Sequence, residues 1–170
     1  MTELEAFRKE KDDFFGQDPQ SPLTTDQKKN FQGLKYFPEN PQLRLEVKAE
    51  NLPSKERIEM QTSTGDIQVY FRHSRIHIKV DDQDAELTIF EGPNGFFLPF
   101  VDSAAGKETY PAGRYLEPEI LPGGRFLVDF NMAYNPYCAY NEHWSCPLTP
   151  PENRLKVPIR AGERLFVGSD

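Results

Sequence analysis

The sequence is poor in the features that most readily disclose a function. It holds two cysteines and three histidines in 170 residues, and no Cys-x-x-Cys pair among them that would begin a four-ligand zinc site. No apolar run approaches the ~18 residues that a membrane-spanning helix needs. A basic stripe is missing as well, since Arg8, Lys9 and Lys11 are interleaved with acids. The net charge of -7 repels phosphate backbones, which excludes nucleic acid as an expected partner. Met1-Thr-Glu-Leu-Glu5 lacks the basic start and apolar stretch of an export signal. With so few cysteines, the expected location is the reducing cytoplasm, with no membrane contact. Long helices are disfavoured, because 15 prolines interrupt the chain.

What is there reads as one globular domain over residues 1–170, long enough to bury a core without disulfide or metal. Thr2 and Glu5 have capping-box spacing and predict a helix over 2–15. Its stripe is Leu4, Phe7, Lys11, Phe14 and Phe15. Thr24 and Gln27 predict a short second helix over 25–32, stopped by Gly33. Turn-rich straps at 17–22 and 36–41 pack through Tyr36 and Phe37. From residue 43 the apolar period becomes two, beginning with Leu43, Leu45 and Val47. Runs of this kind recur every 8–12 residues or so. Turns are predicted at Thr64-Gly-Asp66, His73-Ser74, Asp81-Asp-Gln-Asp84, Gly92-Pro-Asn-Gly95 and Pro122-Gly-Gly124. The last strands are predicted at 155–160 and 163–167. The expected fold is mostly β: an antiparallel β-barrel or curved sandwich with two N-terminal helices. Residues 1–42 form its helical and strap region and 43–170 its barrel or sandwich.

Two segments break the pattern and mark the expected functional surface, 102–115 and 129–154. The second contains a loop longer than ~15 residues, unusual in a compact domain unless it functions, and too aromatic to be disordered. Gly106-Lys-Glu-Thr109 fails as a phosphate loop, because Val101 stands where glycine is required and Glu108 replaces the hydroxyl residue. Lys107 and Arg114 could still supply positive charge to an anion. In the strand 125–131, Phe126, Val128 and Phe130 share the core face. Asp129 and Asn131 share the other, as a hydroxyl-binding pair or as caps of the loop backbone. Antiparallel pairing with a strand near 114–120 would bring Arg114 beside Asp129 and Asn131, and the Lys107 loop beside Tyr134 and Asn135.

Cys138, His143 and Cys146 admit a zinc ligand set, a local disulfide, a nucleophilic thiol or two buried thiols. The ligand count is too low for zinc, so no metal and no cofactor is expected. Whether the cysteines pair is left open by the sequence.

The leading expectation is a pocket for a small polar or anionic ligand, built from Lys107, Tyr110, Arg114, Tyr115, Asn131, Tyr134, Asn135 and Tyr140. An alternative is an enzyme using that pocket with Glu108 or Asp129 as general base. A third is a structural or interaction module, its loop aromatics serving as anchors.

These stretches also resemble a known family. Phe97-Leu-Pro-Phe-Val-Asp102, Gly106-Lys-Glu-Thr-Tyr110, Gly113-Arg-Tyr-Leu116, Asp129-Phe-Asn131, Ala133-Tyr-Asn-Pro136, Cys138-Ala139, Cys146-Pro147 and Pro150-Pro-Glu-Asn-Arg-Leu155 are similar to a widespread prokaryotic domain of unknown function. The likeness spans nearly the whole chain. It implies no activity, cofactor or partner. Family members usually carry Pro at position 137 and lack His143 and Trp144, which takes His143 out of any shared mechanism.

Overall fold

The computed structural model describes residues 2–166. Helix α1 (Glu3–Gln17) starts where the capping box puts it. The Glu5 N–H donates to the Thr2 hydroxyl at 3.1 Å and the Thr2 N–H to the Glu5 carboxylate at 3.3 Å. Helix α2 (Thr25–Lys29) has the same device at Thr24 and Gln27, but it ends at Asn30, short of the predicted 32. Gly33 is not its stop. Its φ of +106° lets the chain pass close to the Asp12 carboxylate, which accepts from the Leu34 N–H at 3.0 Å.

Eight strands follow: β1 (Arg44–Asn51), β2 (Arg57–Gln61), β3 (Ile67–Val80), β4 (Gln83–Gly92), β5 (Gly95–Phe100), β6 (Arg114–Leu116), β7 (Glu119–Leu121) and β8 (Arg125–Asp129). They lie in the order β6-β5-β4-β3-β1-β8-β7, with β2 added to β3. All pairs are antiparallel. The two ends of this order, β6 and β7, are joined only by Glu117-Pro118. So short a link reaches about 11 Å, whereas a flat sheet would hold its edges about 30 Å apart. The sheet therefore curls on itself into a half-barrel.

The curl has local causes. β3 runs unbroken through His73-Ser74, where the sequence predicts a turn. Its register with β4 shifts between Arg72 and Ser74, and such a bulge bends a strand without ending it. The first part of β3 then pairs with β2 and the later part with β1. At the end of β3, Asp81 (φ 50°) and Asp82 (φ 63°) make the two-residue left-handed turn that suits a tight hairpin. The single strand predicted near 114–120 is split by Pro118. β6 pairs with β5 and β7 with β8, so the strand carrying Arg114 is not the partner of β8.

Phe126 and Val128 of β8, with Phe130 just beyond it, are 1%, 0% and 0% exposed, as the strand parity predicts. They pack with Ile76, Leu87, Ile89, Leu98 and Phe100. Residues 154–161 also alternate, sending Leu155, Val157, Ile159 and Ala161 into this core. Yet 155–160 is not a strand, and neither is the described part of 163–167; residue 167 lies outside the described residues. Pro158 has no N–H to give to a ladder. Other groups satisfy this backbone. No helix among the described residues is long and apolar enough to cross a membrane.

Phe126→Ala should lower the unfolding free energy by about 3–5 kcal/mol, as truncation of a buried aromatic does. Urea denaturation reads this directly. A loss under about 0.5 kcal/mol, the range of a surface site, would place the ring outside the core.

Candidate functional site

The C-terminal segment 154–163 pairs in part with the backbone of residues 101–103, and others of its polar groups go to two buried side chains, Arg114 and Asp102. Arg114 is 1% exposed. Its Nη1 donates to the carbonyls of Ala161 at 2.5 Å and Glu163 at 3.0 Å, and its Nη2 to that of Ile159 at 2.8 Å. Asp102, also buried, accepts from the Ile159 N–H at 2.7 Å and the Thr109 hydroxyl at 2.6 Å, and lies 3.8 Å from the guanidinium. Desolvation pulls the Arg114 pKa down to about 10, while the Asp102 and Glu163 charges oppose it. Three carbonyl acceptors and one carboxylate occupy this cation from the inside.

Glu163 is the second buried centre, at 1% exposure. Its carboxylate accepts from Lys11 Nζ, from the Tyr140 hydroxyl and, at 3.1 Å, from the Asn135 N–H. Lys11 is the one charged member of the α1 stripe, and its ammonium also lies 5.1 Å from the centre of the Tyr134 ring. Helix α1, the aromatic loop and the C-terminal segment thus meet at a single carboxylate.

Outside this centre, among the described residues, three surface depressions of about 680, 460 and 270 Å³ share Tyr134 and Glu117 in their linings. The Tyr134 hydroxyl donates to the Glu117 carboxylate at 2.5 Å. Tyr134 is held in place because its backbone exchanges hydrogen bonds with that of Tyr115 at 2.8 and 3.1 Å. The largest depression adds Tyr137, Trp144 and Pro147 as apolar walls and Lys11 at its margin. Burial, and then the Glu117 carboxylate, push the Tyr134 pKa up.

The structure separates the expected site residues into groups. Tyr115 and Tyr134 line the cleft, with the Tyr115 hydroxyl donating to the Pro147 carbonyl. Asp129 lines the second depression, but its Oδ1 caps Asn131, accepting from the backbone N–H at 3.0 Å and the side-chain amide at 2.9 Å. Asn131 in turn binds the strap, exchanging bonds with the Asn40 backbone at 2.8 and 2.9 Å. Glu108 pairs with Arg160 at 3.1 Å and lies 3.9 Å from Arg164. Lys107 faces solvent. Asn135 is buried and donates to the Arg164 carbonyl at 3.0 Å, while the Glu108 carbonyl accepts from the Leu165 N–H at 2.9 Å. The 102–115 and 129–154 segments therefore meet on the C-terminal chain, and Lys107 lines none of the three depressions. Tyr140 belongs to the Glu163 centre and Tyr110 to the cysteines, its hydroxyl 3.8 Å from Cys138 Sγ. His143 is exposed, and no cluster of three His, Cys, Asp or Glu with metal-binding geometry occurs among the described residues.

Sequence reasoning misses Glu163, Lys11 and Glu117. Lys11 left a signal, because a cation on an apolar helical stripe needs a buried partner. Glu117 and Glu163 left none.

A family model described as "Protein of unknown function (DUF1684)" matches residues 29–164. The solution structure of an uncharacterized protein from Haloarcula marismortui is 34% identical, covers 97% of this chain and 94% of its own, and superimposes with a TM-score of 0.73. No curated protein matches.

Two outcomes follow from the buried polar centres. Glu163→Gln should cost about 3 kcal/mol, as removing one partner of a buried ion pair does. Lys11→Met in that background should recover part of the loss, since the stranded charge is gone. Additive losses in a double-mutant cycle would dissolve the coupling. Burial raises the pKa of Tyr36, Tyr115, Tyr134 and Tyr140, with Glu163 adding to the effect at Tyr36 and Tyr140. Their folded values lie above the unfolded value of about 10, so their contribution is full below pH 10 and is lost as pH rises beyond it. Tyrosinate absorbance of these four should appear together with loss of the fold. All seven tyrosines ionising near pH 10 in a folded chain would refute this.

Proposed function

Because the chain belongs to the DUF1684 family of proteins of unknown function, its activity must be argued from its own surface, and we propose that it binds a small polar ligand in the cleft centred on Tyr134 and Glu117. One observation carries this reading: three adjoining depressions share that single phenol–carboxylate pair. Pockets of about 300–1,000 Å³ with aromatic walls and a few fixed polar groups are the usual form of a small-molecule site. Tyr115, Tyr134, Tyr137 and Trp144 offer flat apolar faces, and Glu117 is a fixed acceptor.

The charge of the cleft selects among ligands. Lys11 is neutralised by Glu163, and Arg114 has its donors on backbone carbonyls. Around the second depression Glu3, Glu117, Glu119 and Asp129 outnumber the one cation, Arg44, which lies 3.8 Å from the Asp129 carboxylate. The ligand class that fits is a compact molecule with a planar or sugar-like face and hydroxyl or cationic donors; an anion would meet carboxylates. The bonds of Asp129 and the ion pairs of Glu108 favour positioning roles over general-base catalysis for those two groups.

Trp144 is the only tryptophan and lines the cleft, so its fluorescence reports occupancy. Benzamidine and glucose should perturb it saturably, whereas benzoate, matched to benzamidine in shape, should not. Glu117→Gln should weaken benzamidine binding about 10–100-fold, the loss of one charged hydrogen bond. Saturable binding of benzoate alone would overturn the charge assignment, and no response to any of the three would overturn the cleft.

A further inference from the structure

We propose that Cys138 and Cys146 form a reversible dithiol–disulfide pair that is oxidised by small hydroperoxides. Both are free thiols. Cys138 sits on the single helical turn Tyr137–Ala139 at the start of the aromatic loop. Its backbone N–H donates to Cys146 Sγ at 3.3 Å, which puts the two residues in direct contact. A disulfide needs a sulfur–sulfur separation of about 2.05 Å, and the Cys146 sulfur already rests against the Cys138 backbone.

The two ends of the pair are held independently. The Cys146 N–H donates to the Ser63 hydroxyl at 3.2 Å and its carbonyl accepts from the Ser63 N–H at 2.9 Å, which fixes it to the turn between β2 and β3. Cys138 is fixed through its neighbours, since Tyr137 and Tyr140 pack edge-on against Phe15 of α1. Between these anchors, residues 142–145 are exposed, and the Trp144 carbonyl accepts from the same Ser63 hydroxyl at 3.0 Å. Access is provided twice: Cys138 is partly exposed, and Cys146 lines the 680 Å³ cleft.

Reactivity is divided between the two thiols. The adjoining Cys146 thiol holds Cys138 below the usual thiol range, against desolvation, and the Tyr110 and Ser63 hydroxyls add to the lowering. The adjoining Cys138 thiol, together with burial, pushes Cys146 up. A thiolate at neutral pH is the nucleophile and its protonated neighbour the resolving thiol. The Cys138 thiolate attacks one peroxide oxygen, the O–O bond breaks, and its electron pair leaves on the other oxygen, which takes a proton from solvent as water or alcohol. Cys138 is then a sulfenic acid. Cys146 sulfur attacks Cys138 sulfur, the S–O bond breaks, and the departing hydroxide takes the Cys146 proton as water. The two thiols lose two electrons and the hydroperoxide gains them.

The test uses the whole chain and one equivalent of hydrogen peroxide. The intact mass should fall by two hydrogen atoms and return on addition of dithiothreitol. After cleavage at Tyr140 or Trp144, the Cys138 and Cys146 peptides should remain joined. Iodoacetamide should alkylate Cys138 at a lower pH than Cys146. Cys146→Ser should stop at a sulfenic acid on Cys138 that dimedone traps, and Cys138→Ser should leave Cys146 unoxidised. Wild-type protein that keeps two alkylatable thiols, gains oxygen without a cross-link, or links only between chains would overturn the proposal. These wild-type readouts do not depend on the folding of a variant. They count thiols and not ligand, so they are independent of the cleft reading.

Discussion

Arg114 lies inside the half-barrel with its donors on the carbonyls of Ile159, Ala161 and Glu163. A buried guanidinium costs several kcal/mol unless its hydrogen bonds are made. A chain segment that crosses a core with only isolated bridges to its neighbours has the same difficulty with its remaining carbonyls. Here each requirement answers the other. Residues 101–103 pair with the first part of the segment through the Leu155 N–H and the Val157 carbonyl; beyond Pro158, which has no N–H to give, Arg114 and Asp102 take over. Gly162 fits the same constraint: its φ is +79°, and a β-carbon there would come within 2.7 Å of the Ala133 carbonyl.

The segment so fixed presents Glu163 to the opposite side. There the carboxylate gathers Lys11 of α1, Asn135 and Tyr140 of the aromatic loop. The loop is long and irregular, yet its Tyr134 is also held by two backbone bonds to Tyr115 of β6. The cleft wall and the thiol pair both belong to this loop, so surface chemistry and interior charge depend on one arrangement. Groups placed by so many partners keep a narrow geometry, which lowers the entropic cost of binding.

The fold class was legible because periodicity, capping boxes and turn residues are local signals. Thr2 with Glu5, Thr24 with Gln27, and the alternation of Phe126 and Val128 carried over into the structure. The errors came where one residue redirected a pattern. Residues 155–160 alternate like a strand, but Pro158 removes a ladder donor. His73-Ser74 reads as a turn, but the chain absorbs it as a bulge. The two irregular segments and their tyrosines, Tyr115 and Tyr134 among them, stood out because aromatic density in an irregular segment is visible without tertiary information. The occupation of Arg114 was hidden, since its acceptors are backbone atoms 45–49 residues away that any residue type could provide. Glu117 and Glu163 were hidden for the same reason: surrounding contacts, and no local pattern, set their roles.

The spacing of Arg114 from its acceptors also has a consequence during synthesis. A ribosome extends the chain from the N-terminus at about 5–20 residues per second, so β1 to β8 emerge while the acceptors of Arg114 do not yet exist. In that interval the curled sheet lacks Leu155, Val157, Ile159 and Ala161 from its core, and the guanidinium keeps its water. The nascent sheet is an open trough with exposed apolar walls, the kind of species that chaperones hold. Closure awaits the arrival of three carbonyls, so the residues from Ile159 to Glu163 decide when the trough becomes a core.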